Sequence, residues 1–109
     1  MKILQNIIDK KQSTLLGVGP MSLNCVNASI EIANDYNIPL MMIASRRQID
    51  CKDFGGGYVN NWCTEEYSKY VKQNDKKNNI ILSRDHGGPY QNNIEIENKL
   101  SLTRAMECA

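Results

Sequence analysis

A chain of 109 residues supports one domain, and 13 basic against 12 acidic residues leave a net charge of +1. That balance excludes the strongly basic footprint of a nucleic-acid or anionic-membrane binder. The N-terminus, Met1 to Asp9, holds no apolar stretch of signal-peptide length, and no run approaches the about 20 apolar residues of a membrane span, so a soluble, cytoplasmic protein with no membrane partner is expected.

Ile3, Leu4, Ile7 and Ile8 fall on one face of a short amphipathic helix. Thr14 to Gly19 is a short apolar run closed by Gly19-Pro20, and reads as a first strand. Ser22 is placed to cap a following helix, in which Cys25, Ala28, Ser29, Ile32, Ala33 and Tyr36 recur at helical spacing as the candidate inner face. Asn37 ends that helix, since Pro39 cannot extend it. Pro39 to Ala44 is apolar throughout, as expected of a parallel strand covered on both faces. A polar segment, Ser45 to Asn61, carries Arg46-Arg47, Asp50 and Gly55-Gly56-Gly57. Thr64, with Glu65 and Glu66 in the first turn, opens a helix to about Asn74 whose inner face is Tyr67, Tyr70 and Val71. Lys76-Lys77 suits the C-terminal end of that helix dipole. Ile80-Ile81-Leu82 is a third strand, and Asn93 opens a last helix with Ile96, Leu100, Thr103 and Met106 inward.

The order is one helix and then βα three times, which predicts an α/β fold with parallel strands adjacent in chain order, near residues 14–19, 38–44 and 80–84. Parallel strands send every strand-to-helix loop to one side, so Ser45, Arg46, Asp85 and His86 are expected on one face. Three strands cannot close a barrel, which takes about 250 residues, and the pattern runs on to Ala109 without a capping glycine. Residues 1–109 are therefore expected to be the N-terminal part of a single TIM-barrel domain: the first three βα units of a (β/α)₈ barrel.

The densest chemistry lies in Leu82-Ser83-Arg84-Asp85-His86-Gly87-Gly88-Pro89, where an apolar strand ends in an Asp-His pair and a Gly-Gly-Pro turn. His86 is the one histidine in the chain. With Leu16-Gly17-Val18-Gly19 and the loop holding Phe54-Gly55-Gly56 and Tyr58, this segment resembles class II, metal-dependent sugar-bisphosphate aldolases. The likeness is greatest to the accessory, non-catalytic subunits of D-tagatose-bisphosphate aldolase, and order and spacing match along nearly all of the chain. The resemblance implies a (β/α)₈ barrel, a sugar-phosphate ligand, a role in carbohydrate metabolism and a catalytic aldolase subunit as partner. In the catalytic members the residue matching Asp85 moves the proton of the aldol step, and the residue matching His86 binds a divalent metal such as zinc. The sequence departs from the accessory pattern at Ala44-Ser45-Arg46-Arg47-Gln48, where an acidic residue and a Ser-Asn-Gln-like stretch are expected. That difference points to a paralogue with another phosphorylated or acidic sugar.

The candidate catalytic residue is thus Asp85, the candidate metal ligand His86, and the candidate substrate-binding residues Ser45, Arg46, Arg47 and Gly87. A single histidine does not make a metal site, since catalytic zinc takes about three protein ligands, and the remainder would lie beyond Ala109. The plainer reading is that Asp85 caps a turn and His86 bonds locally. Arginine forks match phosphate oxygens in pairs, so Arg46-Arg47 suits a phosphate, or else is a solvated charge pair. Gly55-Gly56-Gly57 either lets a ligand approach the main chain or serves as a flexible loop, while Tyr58 and Trp62 pack that loop down or stack on a sugar. Cys25, Cys51, Cys63 and Cys108 lack metal spacing and, without an export signal, are expected as free thiols. Cys25 and Cys108 fall on helix faces, as structural thiols do. The competing readings are an active class II aldolase, a non-catalytic partner subunit, and an unrelated small α/β binding module.

Overall fold

The computed structural model describes residues 2–10, 14–91 and 93, with the backbone alone for residues 2–4. In chain order the elements are α1 (Lys2–Lys10), β1 (Leu16–Val18), α2 (Leu23–Tyr36), β2 (Leu40–Ser45), a 3₁₀ turn (Lys52–Phe54), α3 (Thr64–Asn74) and β3 (Ile80–Asp85). The helix expected beyond Asn93 lies outside the described residues, as does Cys108. No helix among the described residues is long and apolar enough to cross a membrane.

The three strands form one parallel sheet in the order β1-β2-β3, as the βα alternation predicts. Leu16 stands opposite Leu40, Leu40 opposite Ile80, and Ser45 opposite Asp85. Equal registry at both ends of β2 and β3 makes these strands finish level, which fixes the height of the rim described below.

Each helix starts and stops for a local reason. Ser22 accepts the amide of Cys25 at 3.2 Å and so caps α2, while Asn37 closes it in the left-handed conformation at φ 53°. α3 opens at Thr64 as expected, and its cap is Cys63, whose amide donates to the Glu66 carboxylate at 3.1 Å. That bond keeps Glu66 below the usual carboxylate range. Beyond α3, Lys76 donates to the carbonyl of Gln73, the expected C-terminal contact. Lys77 instead reaches across to the carbonyl of Asn34 on α2. The buried Asp75 then accepts the amides of Asn79 at 3.1 Å and Ile80 at 2.8 Å, turning the chain into β3.

The core lies on one side of the sheet. Leu40, Met42 and Ala44 of β2 pack against Val26, Ile30 and Ala33 of α2, Ile49, Val59 and Trp62 of the long loop, and Tyr67 and Val71 of α3. This corrects two expectations. The inner face of α2 is Val26, Ser29, Ile30 and Ala33, whereas Ala28, Ile32 and Tyr36 are exposed and Cys25 is half-buried. The helix carries two apolar stripes, and periodicity alone does not choose between them; packing against β2 does. Ser29 is accommodated inside because its hydroxyl donates to the carbonyl of Cys25 at 2.8 Å. Likewise β2 is buried on one face only, since Met41, Ile43 and Ser45 remain half-buried on the side away from α2 and α3.

Two fold predictions follow from close packing. A Cβ on Gly57 would stand 1.9 Å from the carbonyl oxygen of Gln48 and 2.5 Å from the amide of Ile49, whereas one on Gly88 meets nothing within 4 Å. Gly57→Ala is expected to lower stability by about 2–3 kcal/mol and Gly88→Ala by less than about 0.5 kcal/mol in urea titrations. The buried Tyr67 hydroxyl has no hydrogen-bond partner among the described residues, and burial pushes its phenol well above its ordinary range. Tyr67→Phe is expected to leave stability unchanged or raise it by up to about 1 kcal/mol on the same measurement.

Candidate functional site

The site is built where β2 and β3 end side by side. Ser45 closes β2, and its backbone enters a tight turn in which the amides of Gln48 and Ile49 donate to its carbonyl at 3.1 and 3.0 Å. The Gln48 side chain folds back to accept the Ser45 amide at 2.8 Å. This turn sets Arg46 and Arg47 on opposite courses.

Arg46 goes inward and is 1% exposed. Its Nε and Nη2 donate to the two carboxylate oxygens of Asp50 at 3.0 and 3.2 Å, a forked pair in which both side chains are buried. Its guanidinium carbon lies 4.8 Å from the centre of the Phe54 ring, and Nη1 donates to the carbonyl of Gly88 at 2.9 Å. Arg46 therefore has no surface from which to touch a substrate phosphate. Burying a guanidinium requires its donors to be satisfied within the fold, and the neighbouring Arg47 is the exposed member of the pair.

At the end of β3 the amide of His86 donates to Asp85 Oδ1 at 2.8 Å, and His86 Nε2 stands 3.5 Å from Asp85 Oδ2. Both side chains are well exposed, at 72% for His86 and 58% for Asp85. His86 adopts the left-handed conformation at φ 48°, which costs a residue with a Cβ roughly 1–2 kcal/mol. The Asp85-to-amide bond, a local turn contact, offsets part of that cost.

A cleft of about 370 Å³ opens between these ends, lined by Ser45, Arg47, His86 and Gln91. Three of the six candidate site residues thus meet at one place. Asp85 adjoins the cleft through His86, Arg46 is buried and bonded to the carbonyl of Gly88, and Gly87 sits in the turn that carries His86. A hydroxyl, a guanidinium, an imidazole and an amide around one cleft suit a polar anionic ligand such as a phosphate ester.

Other side chains that matter here were not evident from sequence. Asp50 is the partner of Arg46, and its signal was the i,i+4 spacing of opposite charges in a loop. Arg84 lies on the helix-covered face of β3, where its Nη1 donates to the carbonyls of Ile49 at 2.6 Å and Ser45 at 3.3 Å and its Nη2 to Thr64 Oγ1 at 3.1 Å. Burial pulls its guanidinium below the ordinary range, and the nearby Asp50 works against that shift. Gln91 joins the cleft from beyond the Gly-Gly-Pro turn.

The triple glycine has structural work. Gly55 ends the 3₁₀ turn in the left-handed region, Gly56 has φ 75°, and the Gly57 amide donates to the carbonyl of Trp62 at 3.0 Å. Trp62 packs the loop down, with its ring centroid 5.7 Å from that of Tyr67 and 4.9 Å from that of Tyr70. Tyr58 stays exposed with its hydroxyl toward Met21. Cys25, Cys51 and Cys63 are free, and burial pushes the Cys63 thiol up.

Among the described residues no group of three His, Cys, Asp or Glu side chains stands close enough to hold a metal ion. They do not by themselves fit a catalytic zinc, and further ligands for a metal on His86 would come from outside those residues. Comparison of the chain with family models, curated proteins and solved structures returned no match.

The buried pair makes a stability prediction. Arg46→Met leaves the Asp50 carboxylate buried without its fork and is expected to cost about 3–5 kcal/mol. The double substitution Arg46→Met/Asp50→Asn keeps an acceptor for the Cys51 amide, which Asp50 Oδ1 now receives at 2.9 Å, and is expected to cost less than about 2 kcal/mol in urea unfolding.

Proposed function

We propose that the chain forms the first βα units of a (β/α)₈ barrel related to class II sugar-bisphosphate aldolases, that it serves as an accessory-type subunit or paralogue in carbohydrate metabolism, and that the cleft at its strand ends takes a phosphorylated sugar. The observation that carries this reading is the convergence of Ser45, Arg47 and His86 on one cleft beyond the C-terminal ends of neighbouring parallel strands. Barrel enzymes and their relatives bind ligands at that end. The resemblance in Leu82 to Pro89 supplies the ligand class.

In this reading Arg47 meets phosphate oxygens, and Ser45 and Gln91 hydrogen-bond the sugar or its phosphate. His86 serves as one ligand of a divalent metal whose other ligands lie outside the described residues. A second reading, an aldolase active by itself, is favoured by the exposure of Asp85 beside the cleft, where a carboxylate can take a proton from a bound hydroxyl.

The test is aldol cleavage of tagatose 1,6-bisphosphate and related sugar bisphosphates by the full-length protein, alone and with a catalytic aldolase subunit. An accessory role predicts no cleavage alone and a gain in the partner's activity or stability on mixing, with Asp85→Asn having little effect. Cleavage by the protein alone that falls about 10²–10⁴-fold in Asp85→Asn identifies the catalytic reading instead. No binding of any sugar phosphate and no effect on the partner would remove both.

A further inference from the structure

We propose that Arg46 is a positioning residue for the rim: gripping the carbonyl of Gly88 while forked onto Asp50, it holds the His86–Gly88 turn in the conformation that presents His86 to the cleft. The proposal deepens the function proposed above and rests on the cleft being a ligand site.

The geometry has three parts. The turn after β3 is not at rest by itself, because His86 occupies the left-handed region at φ 48°. Such a conformation in a residue with a Cβ persists where the surroundings impose it. Its local support is the Asp85 carboxylate, which is itself 58% exposed and accessible to water. The buried contact, from the turn after β2, is Arg46 Nη1, at 2.9 Å from the Gly88 carbonyl. Arg46 is fixed in turn, with two of its donors on Asp50 and its guanidinium carbon over the Phe54 ring. A guanidinium immobilised in this way acts as a rigid post between the β2 loop and the β3 turn. Arg84, from the neighbouring strand, ties the same loop to α3 through Ile49 and Thr64, so the post stands on a braced base.

The fork geometry also says why the residue is arginine. A lysine ammonium can pair with Asp50 but does not offer a planar fork with a further donor aimed at Gly88. Arg46→Lys therefore separates the two roles, keeping the charge pair inside the fold and losing the grip on the turn.

The experiment compares amide and side-chain NMR spectra of the wild-type protein, Arg46→Lys and Arg46→Met/Asp50→Asn. The one histidine gives a single imidazole signal, and the one tryptophan reports whether the core is intact. Inorganic phosphate and, separately, fructose 1,6-bisphosphate are then added. With the Trp62 indole signal retained, the amides of His86, Gly87 and Gly88 and the His86 ring signal are expected to move in both variants, and phosphate affinity to fall roughly tenfold or more. Unchanged His86–Gly88 signals in a folded variant would overturn the proposal, as would moved signals with wild-type affinity. Should one variant fail to fold, the other decides. If neither probe perturbs Ser45, Arg47 or His86 in the wild-type protein, the ligand reading of the cleft is lost. The variant spectra then still decide whether Arg46 holds the turn.

Discussion

Everything at the strand ends hangs on one buried ion pair. Taking a guanidinium and a carboxylate out of water costs several kcal/mol per ion, and the pair is tolerable only when geometry and extra hydrogen bonds satisfy both groups. Arg46 and Asp50 meet that condition with a forked contact, the Phe54 ring, the Gly88 carbonyl and the Cys51 amide. The partners come from three separate places: the turn after β2, the 3₁₀ segment with its cap, and the turn after β3. The carbonyl of Asp50 also accepts the amide of Thr64, the first residue of α3. A charge pair that must be enclosed thus dictates how a long polar loop folds.

The loop from Ser45 to Trp62 is irregular yet closely packed. Gln48 and Ile49 run beside Gly57, near enough that a methyl group would not fit between them. The amides of Tyr58 and Val59 donate to the carbonyls of Arg47 and Gln48. Asn60 and Asn61, both left-handed, reverse the chain so that Trp62 lands on Tyr67 and Tyr70 of α3. Asparagine accepts that backbone conformation more readily than most residues. The result is a braced platform under the cleft, the kind of support that binding side chains on loops need if they are to hold a ligand at a defined distance.

The opposite end of the sheet is arranged by amides and one carboxylate. Asn79 donates to the carbonyl of Ala33 and to Asn37, Asn34 accepts the amide of Lys77, and Asp75 receives two backbone amides at the start of β3. These bonds join the end of α2 to the turn leading into β3, which helps to hold β2 and β3 in register. Because that register carries through to Ser45 and Asp85, the lower turns determine the level at which the upper residues meet.

Among the described residues, the sequence by itself determined the helices and strands and their order. Periodicity, the Ser22 cap, Asn37 and the Gly and Pro breaks are local signals, and local backbone preferences obey them. Parallel pairing and the gathering of Ser45, Asp85 and His86 at one end followed from βα alternation, since parallel strands send their loops to the same side. Which stripe of α2 turns inward was decided by the tertiary structure, because two stripes were apolar enough and only contact with β2 distinguished them. The fates of Arg46 and Arg47 were decided there as well. Adjacent and chemically identical, they differ only in what surrounds them. Asp50, Phe54 and Gly88 enclose one, and the other faces the cleft. Burial and pairing depend on residues up to 42 positions away along the chain, and spacing along a sequence does not carry that distance in space.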